Sequence, residues 1–146
     1  MTFLNNLLIS FFYIGYIKYA PGTISSFFSL IIFYFIPNSI ITQTIFLITI
    51  CLMGFILCYY YSKNNIIKDP SFIVIDEVAG MSVSLFMLPK ELHVYILAFI
   101  LFRIFDIFKP GLIDKSQELN FGIGIMLDDL LAGLLTVTIL WNLIVW

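Results

Sequence analysis

One apolar segment of the chain carries an ionisable residue at every third position: Phe102-Arg103-Ile104-Phe105-Asp106-Ile107-Phe108-Lys109-Pro110. On a helix this spacing places Arg103, Asp106 and Lys109 on adjoining turns of one side, so they face the same neighbour. Ionisable groups inside so apolar a segment point toward a protein interior or a water-filled cavity, and they indicate a functional site. The alternative is structural, with Arg103 and Asp106 paired within one helix and Lys109 capping its carboxyl end.

The rest of the chain is similarly apolar. Hydrophobic residues make up 62% of its 146 residues and charged residues 11%, and the mean hydropathy is +1.08. These values lie outside the range of soluble globular proteins and predict an integral membrane protein. No stretch has the composition of a linker, so residues 1–146 are predicted to form a single domain. The net charge of -2 and the lack of a basic cluster argue against nucleic acid as a partner.

Turn signals divide the chain into about six helices, which predicts an all-α, polytopic membrane bundle. The predicted helices are Thr2–Tyr19, Ile24–Ile36 with Thr23 as its N-cap, Ile40–Tyr61, Phe72–Leu88, Glu91–Lys109 and Met126–Trp146. The second helix, about 20 Å long at helical rise, is too short to cross a hydrocarbon core of about 30 Å. We therefore expect some helices to be short or re-entrant.

If successive helices alternate in direction, every polar motif falls at one membrane face. These motifs are Pro21-Gly22-Thr23 with Ser25 and Ser26, Asp76-Glu77, Arg103 with Asp106 and Lys109, and Asp128-Asp129. The same face is predicted to carry six of the seven basic residues, Lys90 being the exception; the six are Lys18, Lys63, Lys68, Arg103, Lys109 and Lys115. The positive-inside rule then predicts that the polar face, and an active site on it, is cytoplasmic.

The acidic residues of this face indicate a metal site. Asp76 and Gly80 are four residues apart, as are Asp129 and Gly133, so another helix can approach closely beside each carboxylate. Complementing a helix dipole would account for one acidic pair, but two pairs plus a further aspartate would repel unless a divalent cation lay among them. The candidate ligands are all carboxylates and the single histidine, His93, lies on the opposite face, which favours Mg²⁺ over zinc.

A phosphate substrate would suit such a site. Mg²⁺ usually completes its coordination with substrate phosphate oxygens, and Arg103 and Lys109 beside it would bind the same phosphate. Thr23, Ser25 and Ser26 follow a Pro-Gly turn at a helix N-terminus, where backbone N–H groups can hold an anion, although plain capping explains them equally well.

The chain lacks the residues that covalent phosphatase mechanisms require. A histidine-nucleophile enzyme would need more than the one histidine present, and neither Cys51 nor Cys58 is followed by an arginine six residues later. The remaining route is attack by a metal-activated water, with a carboxylate orienting or deprotonating it.

Four segments together resemble the bacterial phosphatidylglycerophosphatase A family in order, spacing and identity. They are Pro21-Gly22-Thr23-Ile24-Ser25-Ser26, Ile75-Asp76-Glu77-Val78-Ala79-Gly80-Met81, the Phe102–Pro110 segment, and Gly122-Ile123-Gly124-Ile125-Met126-Leu127-Asp128-Asp129-Leu130-Leu131-Ala132-Gly133. The resemblance implies Mg²⁺-dependent dephosphorylation of phosphatidylglycerol phosphate to phosphatidylglycerol, in the bacterial inner membrane.

The resemblance also implies roles for individual residues. The metal ligands would come from Asp76, Glu77, Asp128 and Asp129. Catalysis would fall to Asp76, Asp106, Arg103 and Lys109. The resemblance places Arg103 and Lys109 at the substrate phosphate, and the position of Thr23, Ser25 and Ser26 at a helix N-terminus adds them as predicted substrate-binding residues. Three other functions stay open: a phosphatase of the same mechanism for another phospholipid monoester, a small cation transporter, and a structural membrane subunit.

Overall fold

The computed structural model describes residues 3–64, 70–117, 119–120 and 122–145. All regular secondary structure in these ranges is helical, which confirms the all-α prediction. The helices are α1 (Phe3–Ile9), α2 (Pro21–Phe35), α3 (Ile40–Asn64), α4 (Ile75–Ser84), α5 (Leu92–Phe108), α6 (Leu112–Ser116) and α7 (Ile123–Val145), with one 3₁₀ turn at Ile14–Tyr16. Thr2, Lys68 and Trp146, which the sequence analysis used, lie outside the described residues.

The prediction of one continuous helix over Thr2–Tyr19 was wrong. Helix α1 ends at Ile9, and the next three aromatic residues, Phe11, Phe12 and Tyr13, all have positive φ values of 44°, 56° and 66°. The break lets the Ile9 carbonyl accept a hydrogen bond from the Val74 N–H, at 3.1 Å, just before α4 begins. A long-range contact therefore overrides the apolar helical pattern here.

The starts of three other helices differ from prediction by three residues, and one of these is α7, which begins at Ile123 and not at Met126. Helix α2 begins at Pro21 after Ala20, which adopts the left-handed conformation at the N-cap, so Thr23 lies in the first turn and is not the cap. Proline suits the first helical position because its missing N–H would have no partner there. Helix α4 is ten residues long, much shorter than the predicted Phe72–Leu88.

Helix α4 is the central element and packs against α2, α3 and α7. Its contact with α7 is made backbone to backbone through two glycines. A Cβ on Gly133 would lie 2.3 Å from the Gly80 carbonyl oxygen, and a Cβ on Gly80 would lie 2.5 Å from the Asp129 carbonyl oxygen. The close approach predicted from the Asp-to-Gly spacing is thus confirmed, and it brings Asp76 and Asp129 to the same end of the bundle.

The outer surface of the bundle is apolar. Helices α3 and α7 are the described helices that are long and apolar enough to cross a membrane, while α2 is shorter, as expected. Large apolar side chains point outward along α3 and α5, including Ile45, Ile48, Leu52, Ile100 and Ile104. This pattern fits an all-α membrane bundle, with hydrocarbon as the solvent of its exterior.

Candidate active site

The polar motifs meet in one cavity of about 470 Å³ at one end of the bundle. Helices α2, α4, α5 and α7 each contribute to its lining, which includes Thr23, Asp76, Glu77, Arg103, Asp106, Lys109, Asp128 and Asp129. The predicted convergence of motifs that are distant in the chain is therefore observed.

Three carboxylates, two in the first turn of α4 and one on α7, form an acidic cluster. One oxygen from each of Asp76, Glu77 and Asp129 lies within 4.8 Å of the others. Asp76 and Asp129 are buried, and the Asp76 Oδ1 and Glu77 Oε2 atoms are buried without a hydrogen-bond partner. Buried carboxylate oxygens that converge in this way and lack donors fit the oxygen ligands that a hard divalent cation requires. We call these three residues the acidic trio.

The electrostatics of the trio favour a bound cation. Burial raises the pKa of Asp76 well above its usual value, and the charges of Glu77 and Asp129 raise it further. Burial also raises the pKa of Glu77 to about 7, although a hydrogen bond with Asp76 and the nearby Arg103 charge oppose the shift. Burial and neighbouring negative charge both make the ionised forms unfavourable, and a positive ion among these groups would offset both costs.

Arg103 and Asp106 form the intrahelical ion pair that the structural alternative proposed. The Arg103 Nη1 atom lies 2.5 Å from Asp106 Oδ2, and both side chains are largely buried. Both residues nevertheless line the cavity, so the pair also presents charge to it. Gly22 makes room for this arrangement, since a Cβ there would lie 2.1 Å from Glu77 Oε1 and 3.4 Å from Arg103 Nη1.

Lys109 links α5 to α7. The residue caps α5 in the left-handed conformation, with φ of 43°, but its Nζ donates a 2.6 Å hydrogen bond to Asp128 Oδ2. Burial lowers the pKa of Lys109, whereas the hydrogen bond and charge of Asp128 raise it, and the net shift is upward. Lys109 therefore keeps its positive charge at the cavity wall. Of the four predicted metal ligands, the structure groups three in the trio and pairs the fourth, Asp128, with this lysine.

The predicted serine contacts with substrate are not supported by the geometry. Ser25 and Ser26 are fully buried, and their hydroxyls donate to the Gly22 carbonyl oxygen at 2.8 and 2.7 Å. Neither lines the cavity, whereas Thr23 does. The i to i−3 and i to i−4 spacing of these bonds explains the difference, because serines within the first turns of a helix can bond to its own backbone.

Sequence reasoning missed Ser71, which lines the cavity from the segment before α4. A single serine in a loop carries no spacing signal, so only the folded chain could reveal its position. His93 is exposed and lies 3.2 Å from Glu91 at the start of α5, away from the cavity, as predicted.

The chain is similar to known proteins over most of its length. The family model described as phosphatidylglycerophosphatase A matches residues 7–144. A Bacteroides thetaiotaomicron protein, provisionally named phosphatidylinositol-3-phosphatase, is 33% identical over 140 residues, covering 90% of this chain and 88% of its own length. The Escherichia coli phosphatidylglycerophosphatase A is 34% identical over 126 residues, covering 83% and 72% of the two chains. The Haemophilus influenzae phosphatidylglycerophosphatase A is 37% identical over 137 residues, covering 90% and 83%. No solved structure matches the chain.

Proposed function

Because this chain belongs to the phosphatidylglycerophosphatase A family, we propose that it hydrolyses the terminal phosphate monoester of phosphatidylglycerol phosphate to give phosphatidylglycerol. The observation that carries the proposal is the cavity in which the acidic trio, Arg103 and Lys109 converge from three helices. A phosphate monoester carries the negative charge that the two basic groups complement, and the trio supplies oxygen ligands for Mg²⁺.

The roles of the chain's own residues follow from their positions. Asp76, Glu77 and Asp129 would hold the ion, which when bound activates water and polarises the phosphate. Arg103, fixed by its pair with Asp106, would stabilise the charge that develops on the phosphate oxygens. Asp106, at the cavity wall, would orient the attacking water and accept its proton. The new bond would join the water oxygen to phosphorus as the ester P–O bond breaks, and the leaving oxygen would take up the proton that Asp106 accepted.

Lys109 and Thr23 would complete the substrate contacts. Lys109 carries a charge beside the cavity, and its hydrogen bond to Asp128 holds it there. Thr23 lies in the first turn of α2, where helix N–H groups favour an anion. Ser25 and Ser26 have no part in this proposal, because both hydroxyls are already bonded to Gly22.

We also propose a multi-pass arrangement in the bacterial inner membrane, with the cavity at the cytoplasmic face. Arg103 and Lys109 line the cavity, whereas Lys90 lies at the opposite end of α2, where its Nζ donates to the carbonyl oxygens of Tyr34 and Ile36. The asymmetry agrees with the positive-inside rule.

A second substrate is favoured by one specific observation. The Bacteroides thetaiotaomicron relative is named for a phosphatidylinositol phosphate, and it matches this chain over nearly its whole length. The cavity groups that we assign recognise a phosphate monoester and a metal, so they would serve either lipid. Headgroup preference therefore has to be measured.

The test is phosphate release by the purified protein in detergent micelles. We expect release from phosphatidylglycerol phosphate with Mg²⁺, loss of release with a chelator, and recovery when Mg²⁺ is restored. Release from phosphatidylinositol 3-phosphate but not from phosphatidylglycerol phosphate would support the second substrate. Release from neither lipid would refute the proposal. Release that persists in chelator would refute the metal assignment while leaving the substrate standing.

A further inference from the structure

A second cavity lies between α2 and α5, and its exposed wall is entirely apolar. It has a volume of about 410 Å³. Helix α2 contributes Phe27, Ile31 and Phe35 to its wall, and α5 contributes Leu92, Ile96 and Phe99. Several of these side chains are half-exposed on the outside of the bundle, so the cavity is an open groove. We call it the α2–α5 groove.

The groove and the active-site cavity share the same two helices. The N-terminal turn of α2 and the C-terminal turns of α5 line the active-site cavity, so the helices run antiparallel. Phe27 lies one turn beyond Thr23, and Phe99 lies one turn before Arg103. The two rings meet edge to face, with centroids 6.1 Å apart, at the end of the groove nearer the active site.

The groove therefore begins where the polar lining ends. From Phe27 to Phe35 it follows α2 away from the active-site cavity for about 12 Å at helical rise. The acyl chains of a phospholipid whose phosphate lies in the active-site cavity extend from that end of the bundle toward the middle of the membrane, which is the direction in which the groove runs. Tyr34 and Tyr95 also line the groove, but the Tyr95 hydroxyl is buried beneath its surface, and the groove exposes no polar atom. Hydrocarbon is therefore the matching occupant.

We propose that the α2–α5 groove binds one acyl chain of the phospholipid substrate; this inference rests on the proposed function. The chain leaves bilayer hydrocarbon for an equally apolar groove, so the gain comes from packing and orientation and not from removal from water. The groove thus serves to align the phosphate monoester with Arg103 and the acidic trio, and it selects lipids by their chains.

A matched pair of substitutions on α5 tests the groove. Ile96 is 48% exposed and lines the groove, whereas Ile100, one turn further on, is 47% exposed and does not. We expect Ile96→Trp to lower kcat/KM about tenfold for substrate with long acyl chains, by misaligning the phosphate. Short-chain substrate should be hydrolysed at the wild-type rate, which also shows that the variant folds.

The Ile100→Trp variant should behave as wild type with both substrates. Equal losses on long-chain and short-chain substrate in Ile96→Trp, or equal effects of the two variants, would overturn the proposal.

A labelling experiment separates failure of the groove from failure of the proposed function. The probes are a diacyl phosphate-monoester lipid with a photoreactive diazirine in one acyl chain and a phosphatidylcholine with the same chain. We expect the phosphate-monoester probe to label residues 27–35 and 92–99 in the wild-type protein more strongly than the neutral probe, and Ile96→Trp to reduce that labelling.

If the groove is labelled but the protein releases no phosphate, the acyl-chain site stands and the proposed phosphatase function is refuted. If the protein releases phosphate but labelling is spread evenly over the apolar exterior, the phosphatase function stands and the acyl-chain site is refuted. Equal groove labelling by both probes would show bulk lipid only, and cross-linked dimers through the groove would show a second copy of the chain; either result overturns the proposal.

Discussion

Helices α4 and α7 pack backbone against backbone beside the active-site cavity, whereas α2 and α5 reach the same cavity with an open groove between them. Gly80 and Gly133 leave no room for a Cβ at the α4–α7 contact. The rings of Phe27 and Phe99 make an edge contact at the α2–α5 side, and Phe27 is 50% exposed. The close pair, α4 and α7, carries all three members of the acidic trio, which need fixed distances. The open pair, α2 and α5, offers a surface to the lipid. Four substitutions test this contrast, from the largest expected effect to the smallest.

The acidic trio on the close pair should be the most sensitive feature. Asp129→Asn removes the charge of one proposed ligand while keeping its shape, and we expect a loss of about 1,000-fold or more in kcat, since a metal ion contributes several kcal/mol to transition-state stabilisation. Phosphate release at saturating Mg²⁺ measures it. Asp114→Asn, on the exposed surface of α6, is the matched control and should retain full activity. Full Mg²⁺-dependent activity in Asp129→Asn would remove this residue from the metal site.

The contact of Gly80 with α7 should be the next most sensitive feature. Gly80→Ala would place its methyl group 2.5 Å from the Asp129 carbonyl oxygen and 2.8 Å from the Phe102 ring. We expect the helices to separate, with a loss of about 100-fold in activity and about 1–3 kcal/mol in the free energy of unfolding. Activity assays and denaturant unfolding in detergent measure the two effects.

Gly54→Ala is the control for this contact, because its methyl group would meet the flexible end of the Met126 side chain, 2.6 Å away, and not a backbone atom. Equal effects of the two alanines would show that the α4–α7 distance does not set the site.

The ion pair between α5 and α7 should matter less. Lys109→Gln removes the charge that is bonded to Asp128, and we expect kcat/KM to fall about tenfold, since a partly exposed cation near a phosphate acts in a screened environment. A double-mutant cycle with Asp128→Asn measures the coupling. The two losses should be less than additive, because both substitutions break one pair. Strict additivity would mean that Lys109 acts on the substrate independently of Asp128.

The open pair should tolerate truncation best. Phe27→Ala removes a ring that is 50% exposed, and we expect the free energy of unfolding to change by no more than about 0.5 kcal/mol. Phe33, on the same helix, is fully buried, and Phe33→Ala should cost about 3 kcal/mol. Thermal unfolding of the two variants side by side makes the comparison. If Phe27→Ala is as destabilising as Phe33→Ala, the Phe27 ring is packed against its neighbours and α2 and α5 do not have an open groove between them.

The sequence predicted best those features whose signals lie in neighbouring residues of the chain. Helix α5 runs over Leu92–Phe108, close to the predicted Glu91–Lys109, because Pro89 and Pro110 bracket it. The break after Ile9 lacks a proline or glycine at Phe11 to Tyr13, and the contact that requires it lies at Val74. No local pattern could have predicted it.

The sequence by itself determined an apolar all-α bundle and the gathering of four polar motifs at one end, because composition, turn residues and helical spacing act locally. Only the tertiary structure decided which charges on different helices are partners: Asp128 with Lys109, and Asp76 and Glu77 with Asp129. The pair of Arg103 with Asp106 lies within one helix, and the spacing had already offered it as an alternative. The physical reason is that spacing along a helix fixes the side on which a residue lies, while distances between helices depend on how closely their backbones pack. Here that distance is set where Gly80 meets Gly133.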